Sequence, residues 1–136
     1  PRGRTLGETE HMALTTFVLN TAQLHFNQKM VGDHPDLYFG GKRVVYGGIV
    51  LAFVAGLASE ETTENAIAEL TYDNGRHTAP VFAGDTLFAE SEVLEKRDAP
   101  DRKDAGIVAF RLRGKNQNGE MVLEIDREIL VKKREP

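Results

Sequence analysis

Tyr46-Gly-Gly-Ile-Val-Leu-Ala-Phe-Val-Ala-Gly-Leu-Ala58 is the stretch on which the reading of this chain turns. Between Ile49 and Ala58 it carries no charge and no hydroxyl. A helix with one wet face alternates apolar and polar positions at a period near 3.6 residues. This run is apolar all round, which implies burial on every side. It also falls well short of the ~20 residues needed to cross a bilayer. A sandwich strand would be buried just as well. However, Ala52, Ala55 and Ala58 have little strand preference, while Val50 and Val54 are tolerated in either state. The stretch therefore reads as a short helix, entered through Gly47-Gly48 and wrapped by the rest of the chain.

Upstream, Glu10 to Leu19 predicts a first helix. Ala13, Leu14, Phe17 and Val18 form its apolar stripe, Thr9 is the expected N-cap, and Glu10 lies near the positive end of the dipole. Residues 22–27 mix polar and apolar side chains without a period, and Gly32-Asp-His-Pro35 and Gly40-Gly41 bracket a loop. Downstream the pattern changes to strands. Ala66 to Tyr72 is the first, closed by the turn signal Asp73-Asn-Gly75, and residues 77–82 are an irregular extended piece carrying Pro80. Thr86–Arg97 and Gly106–Gly114 follow, and Asn118-Gly119 marks a hairpin into a last strand. In that strand Met121, Leu123, Ile125, Ile129 and Val131 share a face with Arg127, while Glu124, Asp126 and Glu128 point the other way, toward water or a partner.

This order implies an α+β fold: a curved antiparallel sheet wrapped around a buried central helix, with residues 1–136 forming one domain. The length suffices for a real core, and 40% apolar with 28% charged residues is the composition of a soluble globular protein. A net charge of −4 gives no general attraction to nucleic acid or an anionic membrane. The absence of cysteine removes disulfides, thiolate nucleophiles and thiolate metal ligands, and fits a cytoplasmic protein. No signal-peptide pattern marks the first residues. His11, His34 and His77 lack metal-site spacing, so neither a metal nor a cofactor is expected.

Four motifs occur in a telling order: Gly3-Arg-Thr-Leu-Gly-Glu-Thr9, Asn20-Thr-Ala-Gln-Leu-His25, Val45-Tyr-Gly-Gly48 and Ala79-Pro-Val-Phe-Ala-Gly-Asp-Thr-Leu87. Together they resemble the hotdog fold and, within it, the MaoC-like dehydratase and (R)-specific enoyl-CoA hydratase family, over nearly the whole chain. The likeness is to the branch acting on small branched or dicarboxylic acyl-CoAs, the mesaconyl-CoA type. The resemblance implies a hydro-lyase acting on an acyl-CoA thioester, as a homodimer or larger assembly of hotdogs. It also implies a site made by the signature loop and the N-terminus of the central helix.

His25 is the expected acid/base, because an imidazole titrates near neutral pH and enoyl hydration needs a base to activate water. Unplaced by a motif, a loop histidine would more often be satisfied by backbone groups. Asn20 stands where the family has an aspartate. An amide donates and accepts hydrogen bonds but cannot take up a proton, so Asn20 either positions the water or merely caps the first helix. The Gly48 N–H, at a helix N-terminus, suits a thioester oxygen, and glycine there permits close approach; Gly47 is expected at the substrate beside it, and a plain Gly47-Gly48 entry turn is the alternative. Tyr46 and Arg76 are expected at the substrate. Lys42, Arg43, Arg76 and Arg97 are candidates for the CoA phosphates, though exposed basic residues are mostly solvated surface. Gly84-Asp85-Thr86 reads as a structural turn. Two other readings stay open. One is a hotdog thioesterase, disfavoured because residues 47–58 contain no acid. The other is a non-catalytic acyl-CoA-binding subunit, kept in play by Asn20.

Overall fold

The computed structural model describes residues 2–134. A short strand β1 (Gly3–Thr5) leads into helices α1 (Glu8–Phe17), α2 (Gln23–Phe26) and α3 (Gln28–Asp33). Next come the apolar helix α4 (Gly47–Leu57), a single turn α5 (Ser59–Thr62), and four long strands. These are β2 (Ala66–His77), β3 (Thr86–Asp98), β4 (Ala105–Lys115) and β5 (Met121–Lys132). The strands form one antiparallel sheet in the order β1-β3-β4-β5-β2. This is the hotdog arrangement that the motifs implied. Among the described residues no helix is long and apolar enough to cross a membrane.

The core lies between α4 and the inner face of the sheet. Ile49, Val50 and Val54 of α4 meet Leu87, Phe110, Leu112, Leu123, Ile125 and Ile129. Helix and sheet approach so closely that a Cβ on Gly114 would stand 2.6 Å from a Val54 methyl. Contrary to the expectation of burial all round, Gly48, Ala52 and Gly56 are exposed. Their spacing of four residues puts them on one face, so this chain alone covers only part of α4.

Helix α1 departs further from expectation. It starts at Glu8, with Gly7 rather than Thr9 at the cap, and Glu10 reaches back to accept from the Gly7 N–H at 2.9 Å. Its buried residues are the polar His11 and Thr15. The apolar stripe points outward instead: Phe17 is 81% exposed, and Leu14, Val18 and Leu19 are exposed with it. The inward side is polar because it holds the loop behind it by hydrogen bonds, described below.

Strand β2 also outruns its expected end. Asn74 takes a positive φ of 51°, yet Asp73-Asn-Gly75 does not turn the chain. It forms a bulge: Asp73 pairs with Asp126 and Arg76 with Glu124, so β2 spends one more residue than β5 between the two pairs. The strand then continues to His77, opposite Leu123.

On the outer face, Glu124, Asp126 and Glu128 are not left to water. Glu124 lies between Arg76 (2.7 Å) and Arg113 (3.0 Å), Asp126 binds Arg111 through both oxygens, and Glu128 meets Arg97 at 2.9 Å. Hydrogen bonds from Arg76 and then Arg113 hold the Glu124 carboxyl below the usual range, and Arg111 does the same for Asp126. Arg127 is buried on the inner face, ion-paired with Glu69 and flanked by the rings of Tyr72 and Phe110, each 5.3 Å from its guanidinium carbon.

Candidate active site

The site begins with a turn. The Ala22 N–H donates to Asn20 Oδ1 at 2.9 Å, an Asx-type turn that sends the chain into α2. Helix α2 carries His25 inward, and His25 is 7% exposed. Three contacts fix it. Its Nδ1 lies 2.7 Å from the Val44 carbonyl. A carbonyl only accepts, so Nδ1 carries the proton and Nε2 keeps its lone pair in the neutral ring. The Tyr46 ring meets the imidazole edge-on at 5.7 Å between centroids. Behind it, His11 Nε2 donates to the His25 carbonyl at 2.8 Å, and the Thr15 hydroxyl donates to the His11 carbonyl at 2.6 Å. The same logic leaves His11 Nδ1 as the acceptor nitrogen, and it is buried without a partner. The two polar residues that reverse α1 therefore serve as the mount for His25.

His25 lines a cleft of ≈ 400 Å³ whose walls include Phe39, Val44, Val45, Gly47 and Val50, with His77 to Val81 opposite. It is mostly apolar, with few polar groups, as a small-molecule site requires. Ile49 and Val50 N–H groups already bond to the Tyr46 carbonyl. The Gly47 and Gly48 amides precede them, among the helix-terminal N–H groups that have no intrahelical acceptor. The turn at Pro80–Asp85 holds this entry in place. The Val45 N–H donates to the Val81 carbonyl at 2.8 Å, and the Asp85 carboxylate accepts from the Phe82 N–H at 2.8 Å.

Of the residues expected in the site, the structure brings His25 and Gly47 together. Asn20 is half-buried beside the loop, outside the cleft lining. Gly48 is exposed, and a Cβ there would stand 2.6 Å from the Tyr46 ring. Its lack of a side chain therefore serves the packing of Tyr46. Tyr46 is a wall behind His25 and not part of the lining. Arg76 is turned to Glu124 on the outer face, away from the cleft. Arg43 pairs with Glu8 and Arg97 with Glu128. Lys42 instead lies 5.4 Å over the Phe82 ring, which packs against Phe39 of the cleft wall.

Sequence reasoning overlooked His77. A Cβ on Gly47 would sit 2.5 Å from His77 Nε2, so the tip of the imidazole rests against the first residue of α4. The signal was present but was read as a turn: an isolated glycine inside a strand pattern also marks a bulge. The Asn74-Gly75 bulge shifts the strand by one residue and brings His77, not Arg76, to the inner face.

A family model described as mesaconyl-CoA hydratase matches residues 1–133. The chain is 39% identical over 109 residues to beta-methylmalyl-CoA dehydratase of Chloroflexus aurantiacus, covering 80% of this chain and 30% of that protein. It is 40% identical over 111 residues to mesaconyl-CoA hydratase of Cereibacter sphaeroides, covering 82% and 29% respectively. The chain thus spans less than a third of the length of these relatives. A solved MaoC domain protein from Chloroflexus aurantiacus superposes with a TM-score of 0.86 at 32% identity, over 98% of this chain and 41% of that one.

Proposed function

The chain belongs to the mesaconyl-CoA hydratase family, and from that premise we propose that it is a hydro-lyase. Its reaction adds water to a 2-enoyl-CoA, or removes it from the 3-hydroxyacyl-CoA, with a short branched or dicarboxylic acyl group. The observation that carries this reading is the fixed tautomer of His25. The Val44 carbonyl binds Nδ1, which leaves Nε2 as the nitrogen able to take a proton from water as the oxygen attacks the β-carbon. The thioester oxygen sits at the N-terminus of α4, where the Gly48 amide, with Gly47 beside it, stabilises the enolate. Asn20 shapes the turn that presents His25.

We assign the reaction to the cytoplasm and the working assembly to a pair of hotdogs. The second is a copy of this chain or a further unit like it, seated on the exposed Leu14, Phe17 and Val18 and on the Gly48-Ala52-Gly56 face. Steady-state hydration of crotonyl-, mesaconyl- and itaconyl-CoA, followed as loss of enoyl absorbance, tests the function. Turnover on at least one is expected, falling ~10²-fold or more in His25→Ala. Hydration of none refutes the hydro-lyase assignment, and full activity in His25→Ala refutes the role of His25.

A further inference from the structure

We propose that His77 is the second proton-transfer residue of this cleft, exchanging a proton with the substrate α-carbon while His25 handles the water. This rests on the hydro-lyase reading above. Hydration moves two protons: one leaves water, and one reaches the α-carbon. His25 offers a single nitrogen for this work, since Nδ1 is held by the Val44 carbonyl. Asn20 cannot store a proton and lies outside the lining, with Oδ1 taken by the Ala22 N–H. Among the described residues, the cleft lining holds two ionisable side chains, His25 and His77.

The position of His77 decides which proton it moves. Its Nε2 edge touches the first residue of α4, at the helix end assigned to the thioester oxygen. The α-carbon is two bonds from that oxygen and the β-carbon one bond further. The group resting on Gly47 is thus the nearer one to the α-carbon, and the β-carbon is left to His25. Among the described residues the His77 imidazole has no hydrogen bond or ion pair, so neither ring nitrogen is committed to a protein partner.

The step balances. Water oxygen bonds to the β-carbon while its proton passes to His25 Nε2, and the C=C electron pair moves into the enolate held at α4. The α-carbon then takes a proton from protonated His77, and the carbonyl re-forms. His25 ends charged and His77 neutral, and proton exchange with solvent restores both. Dehydration runs the same sequence backwards.

The test uses whichever of crotonyl-CoA and mesaconyl-CoA the wild-type chain hydrates, with kcat and KM measured separately. In His77→Gln, kcat is expected to fall about 100-fold with KM within threefold and the thermal midpoint unchanged. In His77→Ala, added imidazole is expected to restore kcat at least tenfold. The proposal is overturned by a His77→Gln kcat within threefold of wild type. It is equally overturned by a loss confined to KM for mesaconyl-CoA, which would make His77 a carboxylate-binding residue, or by a loss that imidazole does not restore, which would make it a packing residue. A wild-type chain that hydrates neither substrate refutes the hydro-lyase reading itself, a distinct outcome.

Discussion

Gly47→Ala probes the geometry of the cleft with a single methyl group. A Cβ on Gly47 stands 2.5 Å from His77 Nε2, with Cε1 and Cδ2 at 2.9 and 3.0 Å. Ordinary contact begins at 3.4 Å, so the ring must withdraw by about 0.9 Å (3.4 − 2.5). Withdrawal costs the fold little, because His77 is an exposed residue at a strand end. Alanine is also no worse than glycine in a helix. The thermal midpoint should therefore stay within about 3 °C of wild type. Catalysis responds differently, since misplacing a reacting group by ~1 Å costs on the order of 10²-fold. The expected fall in kcat is about 100-fold, or ~2.7 kcal/mol in the barrier. The assay is steady-state enoyl-CoA hydration, run as a double-mutant cycle with His77→Ala. With no ring to displace, the added methyl should cost less than about threefold in that background. A Gly47→Ala variant with wild-type kcat would refute the claim that the position of the His77 ring matters. An equal loss in both backgrounds would show that the methyl obstructs the substrate directly.

Two further outcomes follow from the supports around the site. His11→Ala removes the donor to the His25 carbonyl and opens a buried hole, so urea unfolding should show a loss of roughly 2–4 kcal/mol, with kcat falling as the loop holding His25 loosens. Glu124 and Asp126 are held below the usual carboxylate range by Arg76, Arg113 and Arg111. Their contribution is therefore fully present above the ordinary carboxylate pKa of ~4 and lost as pH falls through the lower, folded-state values. The urea midpoint should hold down to about pH 5 and drop below about pH 4, with a shallower drop in Glu124→Gln.

The parts of this fold legible in the sequence are those where a single local rule decides. The charge-free run of residues 47–58 announced its helix, and Asn118-Gly119 announced its hairpin, because composition and turn chemistry act within a few residues. The parts misread are those where tertiary structure chose between two locally valid options. Asp73-Asn-Gly75 serves equally as a turn or as a bulge, and only the pairing of β2 with β5 selects the bulge. Arg76 and His77 exchange faces on that choice, which turns Arg76 to Glu124 on the outer face and brings His77 to the cleft. The place of His25 was legible through its motif, but its tautomer was not. That depends on the Val44 carbonyl, nineteen residues away. The side chains packed against the helix entry were not legible either: a histidine lies against Gly47 and a tyrosine against Gly48.

The reversed face of α1 follows from the same competition and explains why the unit looks unfinished. Amphipathic patterning assigns the stripe of Leu14, Phe17 and Val18 to the core, and a lone domain of this size would bury it. Here the inward face supplies a donor to the His25 carbonyl on α2, and His11, backed by Thr15, provides it. The apolar side is then left outside, with Phe17 81% exposed. Exposed apolar area of this kind is costly unless a second surface covers it, and the small-residue face of α4 is open in the same way. One helix therefore turns its polar side to the backbone of His25 and leaves its apolar side exposed. A substitution at Leu14 or Phe17 and one at His11 act on opposite faces of the same ten-residue helix, so disturbance at the outer surface has a path of two hydrogen bonds or fewer to the His25 backbone.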